Sequence, residues 1–112
     1  MLILSEDFGK YEIGLGLTGP QVAHTRTADV DVRTNGFVYG QRNVQITDKF
    51  SMGLGFSYWQ NTSRVFGSKT NFVLELEYAV TDEWYVSVFH ASNAGTATPN
   101  LGQDAILVGY RF

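Results

Sequence analysis

Apolar and polar residues alternate with a period of two along most of this chain, the pattern of strands with two unlike faces. From Lys10 to Thr18, the apolar Tyr11, Ile13, Leu15 and Leu17 interleave with Glu12, Gly14, Gly16 and Thr18. From Phe50 to Trp59, Phe50, Met52, Leu54, Phe56 and Tyr58 interleave with Ser51, Gly53, Gly55 and Ser57. Thr70 to Ala79, Glu83 to Ser92 and Asp104 to Phe112 follow the same rule. Weaker strands are expected over Thr27 to Arg33 and Gly36 to Gln45, and a short one over Leu2 to Ser5. No segment carries the i, i+3, i+4, i+7 stripe of an amphipathic helix. Turn-forming residues separate the runs at Gly19-Pro20, Asn35-Gly36, Thr47-Asp48-Lys49, Gly67-Ser68-Lys69 and Thr81-Asp82-Glu83. The expectation is an all-β chain: a small antiparallel up-and-down β-barrel of about eight short strands, with residues 1–112 as a single domain.

Which face is inside follows from the residues opposite the apolar ones. A soluble sheet presents Lys, Glu, Thr and Arg to water, whereas two of these strands present Gly and Ser. Such residues gain little from solvation and weaken a strand, but they suit the narrow interior of a closed barrel. Glu12, Glu75, Glu77 and Arg111 would then neutralise one another inside, and the apolar, aromatic-bearing face would meet lipid. This is the inverted pattern of an outer-membrane barrel. The competing reading is a soluble β-sandwich or barrel with those apolar faces as its core. A mean hydropathy of -0.09 does not separate the two, because alternation averages it out.

Composition narrows the chemistry. Eight basic residues against eleven acidic ones, a formal charge of -3, leave no basic surface for nucleic acid. The chain has no cysteine, which removes disulfides, thiolate metal sites and cysteine nucleophiles. Its two histidines, His24 and His90, are too far apart in sequence to suggest a metal site, and no cofactor is expected. The start, Met1 to Asp7, lacks the basic and long apolar regions of a signal peptide. Either such a peptide has been removed, or the protein, if phage-encoded for instance, reaches its destination without one.

Candidate chemistry concentrates near the C-terminus, in Phe89-His90-Ala91-Ser92-Asn93-Ala94-Gly95 and Pro99-Asn100-Leu101-Gly102-Gln103-Asp104. His90 and Ser92 are two apart, on one face of a strand with Cα atoms about 7 Å apart. That allows an imidazole base beside a hydroxyl nucleophile. Asp104 opens the last strand, where antiparallel pairing can bring it beside His90 as the orienting third group of a triad. By parity all three emerge on apolar faces, where polar groups are costly unless they satisfy one another. The bland reading, a strand-end histidine followed by a Ser-Asn turn, fits these residues equally well.

The run His90-Ala91-Ser92-Asn93-Ala94-Gly95, then Pro99-Asn100, and the terminal Gly109-Tyr110-Arg111-Phe112 resemble the lipid A 3-O-deacylase family of outer-membrane β-barrels. The resemblance implies that His90 is the general base and Ser92 the nucleophile, with Asp104 where that family usually has Glu. It further implies an oxyanion hole from the Gly95 amide and the Asn100 side chain, and a site on the barrel's outer surface. The expected function is a serine esterase acting on an acyl chain of lipid A, or of a similar glycolipid, in the bacterial outer membrane. Its partners would be lipopolysaccharide, outer-membrane lipid, and a second copy or virion neighbours. The alternatives are a non-catalytic structural or phage virion component built on this fold, and a passive outer-membrane barrel.

Overall fold

The computed structural model describes residues 1–24, 29–62, 68–94 and 102–112, with the backbone alone over 21–24 and 29–32. Seven strands form one antiparallel sheet in the order β1 (Leu2–Phe8), β2 (Tyr11–Thr18), β5 (Asn35–Gln45), β6 (Phe50–Trp59), β7 (Thr70–Ala79), β8 (Trp84–Ser92) and β9 (Gln103–Tyr110). Apart from β2, which pairs with β5 past the intervening β3 and β4, the strands of this sheet pair in chain order, an up-and-down meander curled into a half-barrel. Two short strands, β3 (Gln21–His24) and β4 (Asp29–Val32), form a separate hairpin within the connection from β2 to β5. The strand expected over Thr27 to Arg33 therefore contributes to this side hairpin and not to the barrel wall. Asn35-Gly36, expected as a turn, instead opens β5 and pairs with Thr18 and Leu17.

The two ends of the sheet differ. At one end the strands meet in tight turns at Gly9-Lys10, 46–49 and 80–83. Gly9 adopts a left-handed φ of 69°, which closes the first of these without a Cβ penalty. The other two reuse one device. Thr47 Oγ1 accepts the Phe50 amide and Thr81 Oγ1 accepts the Trp84 amide, each at 3.0 Å, so the two Thr-Asp sequences act as matched turn formers. At the opposite end the connections are longer: 19–34, 60–69 and 93–102. Short turns at one rim and long loops at the other is the asymmetry of outer-membrane barrels.

Alternation sorts the side chains as the sequence indicated. Tyr11, Ile13, Leu15, Leu54, Phe56, Tyr58, Val86, Val88, Ile106 and Val108 lie on the outer face, Ile106 at 79% exposure. Around the tight-turn rim, Phe8, Tyr11, Tyr78, Trp84, Tyr110 and Phe112 are all exposed. The Trp84 and Tyr110 rings meet edge to face at 5.1 Å. Such a ring of amphipathic aromatics suits a lipid–water boundary.

The inner face carries more than small residues. Phe37, Tyr39, Trp59 and Phe89 point inward and are at most 4% exposed, so the large aromatics are shared between the two faces. Phe37 stacks on Trp59 at 4.2 Å, and Phe89 packs against Phe37 and Tyr39 at 5.7 Å. Met1 and Ile3 on one edge and Leu107 on the other pack on this cluster, which draws the sheet into its curl. Glycine makes the room: a Cβ at Gly16 would run into the Phe37 ring, one at Gly14 into Tyr39, and one at Gly109 into Tyr85.

Toward the tight-turn rim the interior becomes polar. Tyr39 donates to Glu12. Gln41 donates to Glu75 at 2.8 Å, and Asn43 to Glu12 at 3.2 Å. Arg111 pairs with Glu77 and lies 4.4 Å over the Tyr85 ring. All of these but Tyr39 line an inner cavity of about 670 Å³. The internal network expected of Glu12, Glu75, Glu77 and Arg111 is present, reinforced by amides and tyrosines from two other strands, β5 and β8.

Two outcomes follow from this sorting. Gly16→Val overfills the space held by Phe37 and should destabilise the sheet by about 1–3 kcal/mol. A lowered urea midpoint in lipid vesicles would register it, with Gly19→Val, which meets no neighbour within 4 Å, unchanged. The apolar outer face should make refolding depend on detergent or lipid, giving a β-type circular dichroism spectrum and heat-modifiable gel migration. A monodisperse species free of bound detergent would contradict it.

Candidate active site

The last two strands place the candidate residues. In the β8–β9 register His90 stands directly opposite Asp104, with Phe89 opposite Ala105 and Val88 opposite Ile106. Inward Phe89 and Ala91 are fully buried, so their neighbour His90 must project outward. Asp104 projects to the same side. The two side chains meet, His90 Nδ1 to Asp104 Oδ1 at 2.6 Å, with 40% and 74% of their side-chain surfaces exposed. The distance is that of a charge-assisted hydrogen bond. It also settles whether an aspartate is long enough here: direct cross-strand alignment brings the shorter carboxylate within reach.

Nδ1, held by Asp104, is the natural donor of that bond, which leaves Nε2 with its lone pair free to accept a proton. Ser92 lies two residues along the same strand and shares the outer face, half-buried, opposite Phe72 of β7. Among the described residues no hydrogen bond joins Ser92 to His90. Contacts of this kind are often completed only when substrate is bound. Gly95 and Asn100, the expected oxyanion donors, lie outside the described residues. His24 falls at the end of β3.

Beside His90 runs a feature that reading one strand at a time does not reveal. A shallow groove of about 280 Å³ crosses the outer face, lined by Leu54, Phe56, Phe72 and Leu74 with His90 at its end. The register explains it. Ser92, Phe72 and Phe56 form one row across three strands, and His90, Leu74 and Leu54 the next. The Phe56 and Phe72 rings, 5.1 Å apart, form one wall. Strand parity indicates the face on which these residues lie, but only the pairing of strands puts them in line with the polar pair.

The arrangement is therefore an imidazole with one nitrogen fixed by a carboxylate, a serine on the same strand face, and an apolar trough leading away. All lie toward the rim bearing the long connections. The family model for lipid A 3-O-deacylase (PagL) matches residues 10–112, which takes in every strand from β2 onward together with His90, Ser92 and Asp104. No curated protein and no solved structure matches. The chain belongs to the lipid A 3-O-deacylase family, a family of outer-membrane β-barrels that release an acyl chain from lipid A.

Proposed function

We propose that this protein resides in the bacterial outer membrane and hydrolyses an ester-linked acyl chain of lipid A through Ser92, His90 and Asp104. The observation that carries the reading is the 2.6 Å contact of His90 with Asp104 on a predominantly apolar outer face, at the end of an apolar groove. A carboxylate and an imidazole facing lipid are costly to maintain. Chemistry on a lipid-borne ester gives them a use.

His90 Nε2 accepts the Ser92 hydroxyl proton as Oγ attacks the ester carbonyl. The Gly95 amide and the Asn100 side chain donate to the oxyanion of the tetrahedral intermediate. On collapse, His90 returns the proton to the departing sugar hydroxyl, leaving the acyl group on Ser92. Water, deprotonated by His90, then releases the fatty acid and restores the serine. Asp104 keeps the imidazole in the required tautomer and stabilises its protonated form. The acyl chain lies between Phe56, Phe72, Leu54 and Leu74, so the barrel needs no internal binding cavity. With the tight-turn rim toward the periplasm, the site faces the outer leaflet, where lipid A resides.

Two exchanges test the assignment, read by the mass spectrum of lipid A after incubation with refolded protein. Ser92→Ala should leave the fold unchanged and abolish acyl release and labelling by a serine-directed phosphonate. Wild-type turnover by that variant would end the covalent mechanism. Asp104→Asn keeps the shape but favours the wrong imidazole tautomer, and in the serine-protease triad the same exchange costs about 10⁴ in kcat. A large loss is expected here too, whereas Asp104→Glu, which restores the family's usual residue, should keep its activity. Equal turnover by Asp and Asn would reduce the site to a Ser–His pair, since Glu83 lies in the 80–83 turn at the rim opposite His90.

A further inference from the structure

The structure points to a role for Gly102 that the proposed triad leaves out. We propose that Gly102 is a positioning residue: the side chain it lacks keeps open the space between the His90 imidazole and Ser92. The inference rests on His90 and Ser92 being base and nucleophile.

Gly102 immediately precedes β9, two residues before Asp104, with a left-handed φ of 75°. A Cβ at this position would lie 3.3 Å from His90 Cε1, 3.5 Å from the Ala91 carbonyl oxygen and 4.0 Å from Ser92 Cβ. It would thus touch the base and the nucleophile at once. Cε1 is the ring atom between the two nitrogens, so the Gly102 backbone faces the ring edge that links Nδ1, held by Asp104, to Nε2. The Ala91 carbonyl at 3.5 Å would be in ordinary contact, so the imidazole at 3.3 Å is the group that has to give, by a few tenths of an ångström, and its shift disturbs the alignment of Nδ1 with Asp104 and of the ring with Ser92. Glycine at 102 therefore does two things. It permits the left-handed backbone that leads into β9, and it leaves the imidazole free to stand against Asp104 while Nε2 addresses Ser92.

Steric displacement and backbone strain are separable, because Gly9 has nearly the same φ, 69°, yet a Cβ there would meet nothing within 4 Å. The experiment compares Gly102→Ala, Gly102→Asn, Gly9→Ala and Ser92→Ala after refolding in detergent, using phosphonate labelling and acyl release. Asn tolerates the left-handed region better than Ala, so one of the two variants at 102 is available even if the other folds poorly.

The expected result is that the folded variants at 102 label to the parent's final stoichiometry but at least about tenfold more slowly, since sub-ångström to ångström misplacement of a catalytic group costs rates of that order. Acyl release should fall in parallel, while Gly9→Ala keeps the parent rate. A merely structural defect would lower the extent of labelling and leave its rate alone. Parent-like labelling and turnover by a folded variant at 102, with Ser92→Ala inactive, would overturn the role of Gly102. An active Ser92→Ala would instead overturn the serine mechanism beneath it.

Discussion

Room inside the curl is the constraint from which the rest of this structure follows. A narrow antiparallel sheet cannot hold large rings on every strand, so bulky and bare positions have to alternate across neighbouring strands. Phe37 and Tyr39 of β5 occupy the volume that Gly16 and Gly14 of β2 leave empty, and Tyr85 of β8 that left by Gly109 of β9. Packed this way, Phe37, Trp59 and Phe89 give the loop-side half of the molecule a dense aromatic interior to which both sheet edges contribute. The other half holds a hydrogen-bonded group of Glu12, Gln41, Asn43 and Glu75 beside the Arg111–Glu77 pair. With one face of every strand turned to this interior, every alternate residue is committed to the outside, and His90, Ser92 and Asp104 are among them.

Much of this could be read from the amino-acid sequence, because the side-chain period of a strand is a local property. Alternation was enough to assign Tyr11 to Leu17 and Phe50 to Tyr58 to the outer face, and to put the three reactive residues on one side. The spacing of His90 and Ser92 was equally local. What depends on pairing was less visible. Phe37 and Tyr39 lie in a strand whose alternation is weak, since Val38 and Gly40 between them contrast little with aromatics, and their inward orientation is set by the glycines they cover. Asn35-Gly36 has turn chemistry but is drawn into β5 by pairing with Thr18 and Leu17. The row formed by Ser92, Phe72 and Phe56 comes from three strands, and no single strand contains the information that aligns them.

The resemblance of the C-terminal segment to a family of esterases and the geometry of the chain bear on different parts of the same question. The family match speaks for reaction and substrate class. The geometry speaks for how this chain accommodates its own departure, an aspartate where glutamate is usual, through direct opposition of His90 and Asp104. One methylene lost from the side chain is offset by the closeness of facing residues in an antiparallel pair.

That opposition also ties function to the order in which the chain assembles. The groups proposed to react come from the last two strands alone, and the alignment of His90 with Asp104 is a matter of strand register. A slip of one residue would turn Asp104 to the interior. A slip of two would carry it about 7 Å along β8, beyond the reach of the imidazole. Inward Ala105, Leu107 and Gly109 hold β9 in place against Phe89, Ser87 and Tyr85, so the register is specified from the side of the sheet opposite the site. The site proposed for ester cleavage is thus withheld from the unfolded and half-folded chain. It comes into being only when the final strand has locked, making a finished wall the condition for reactivity.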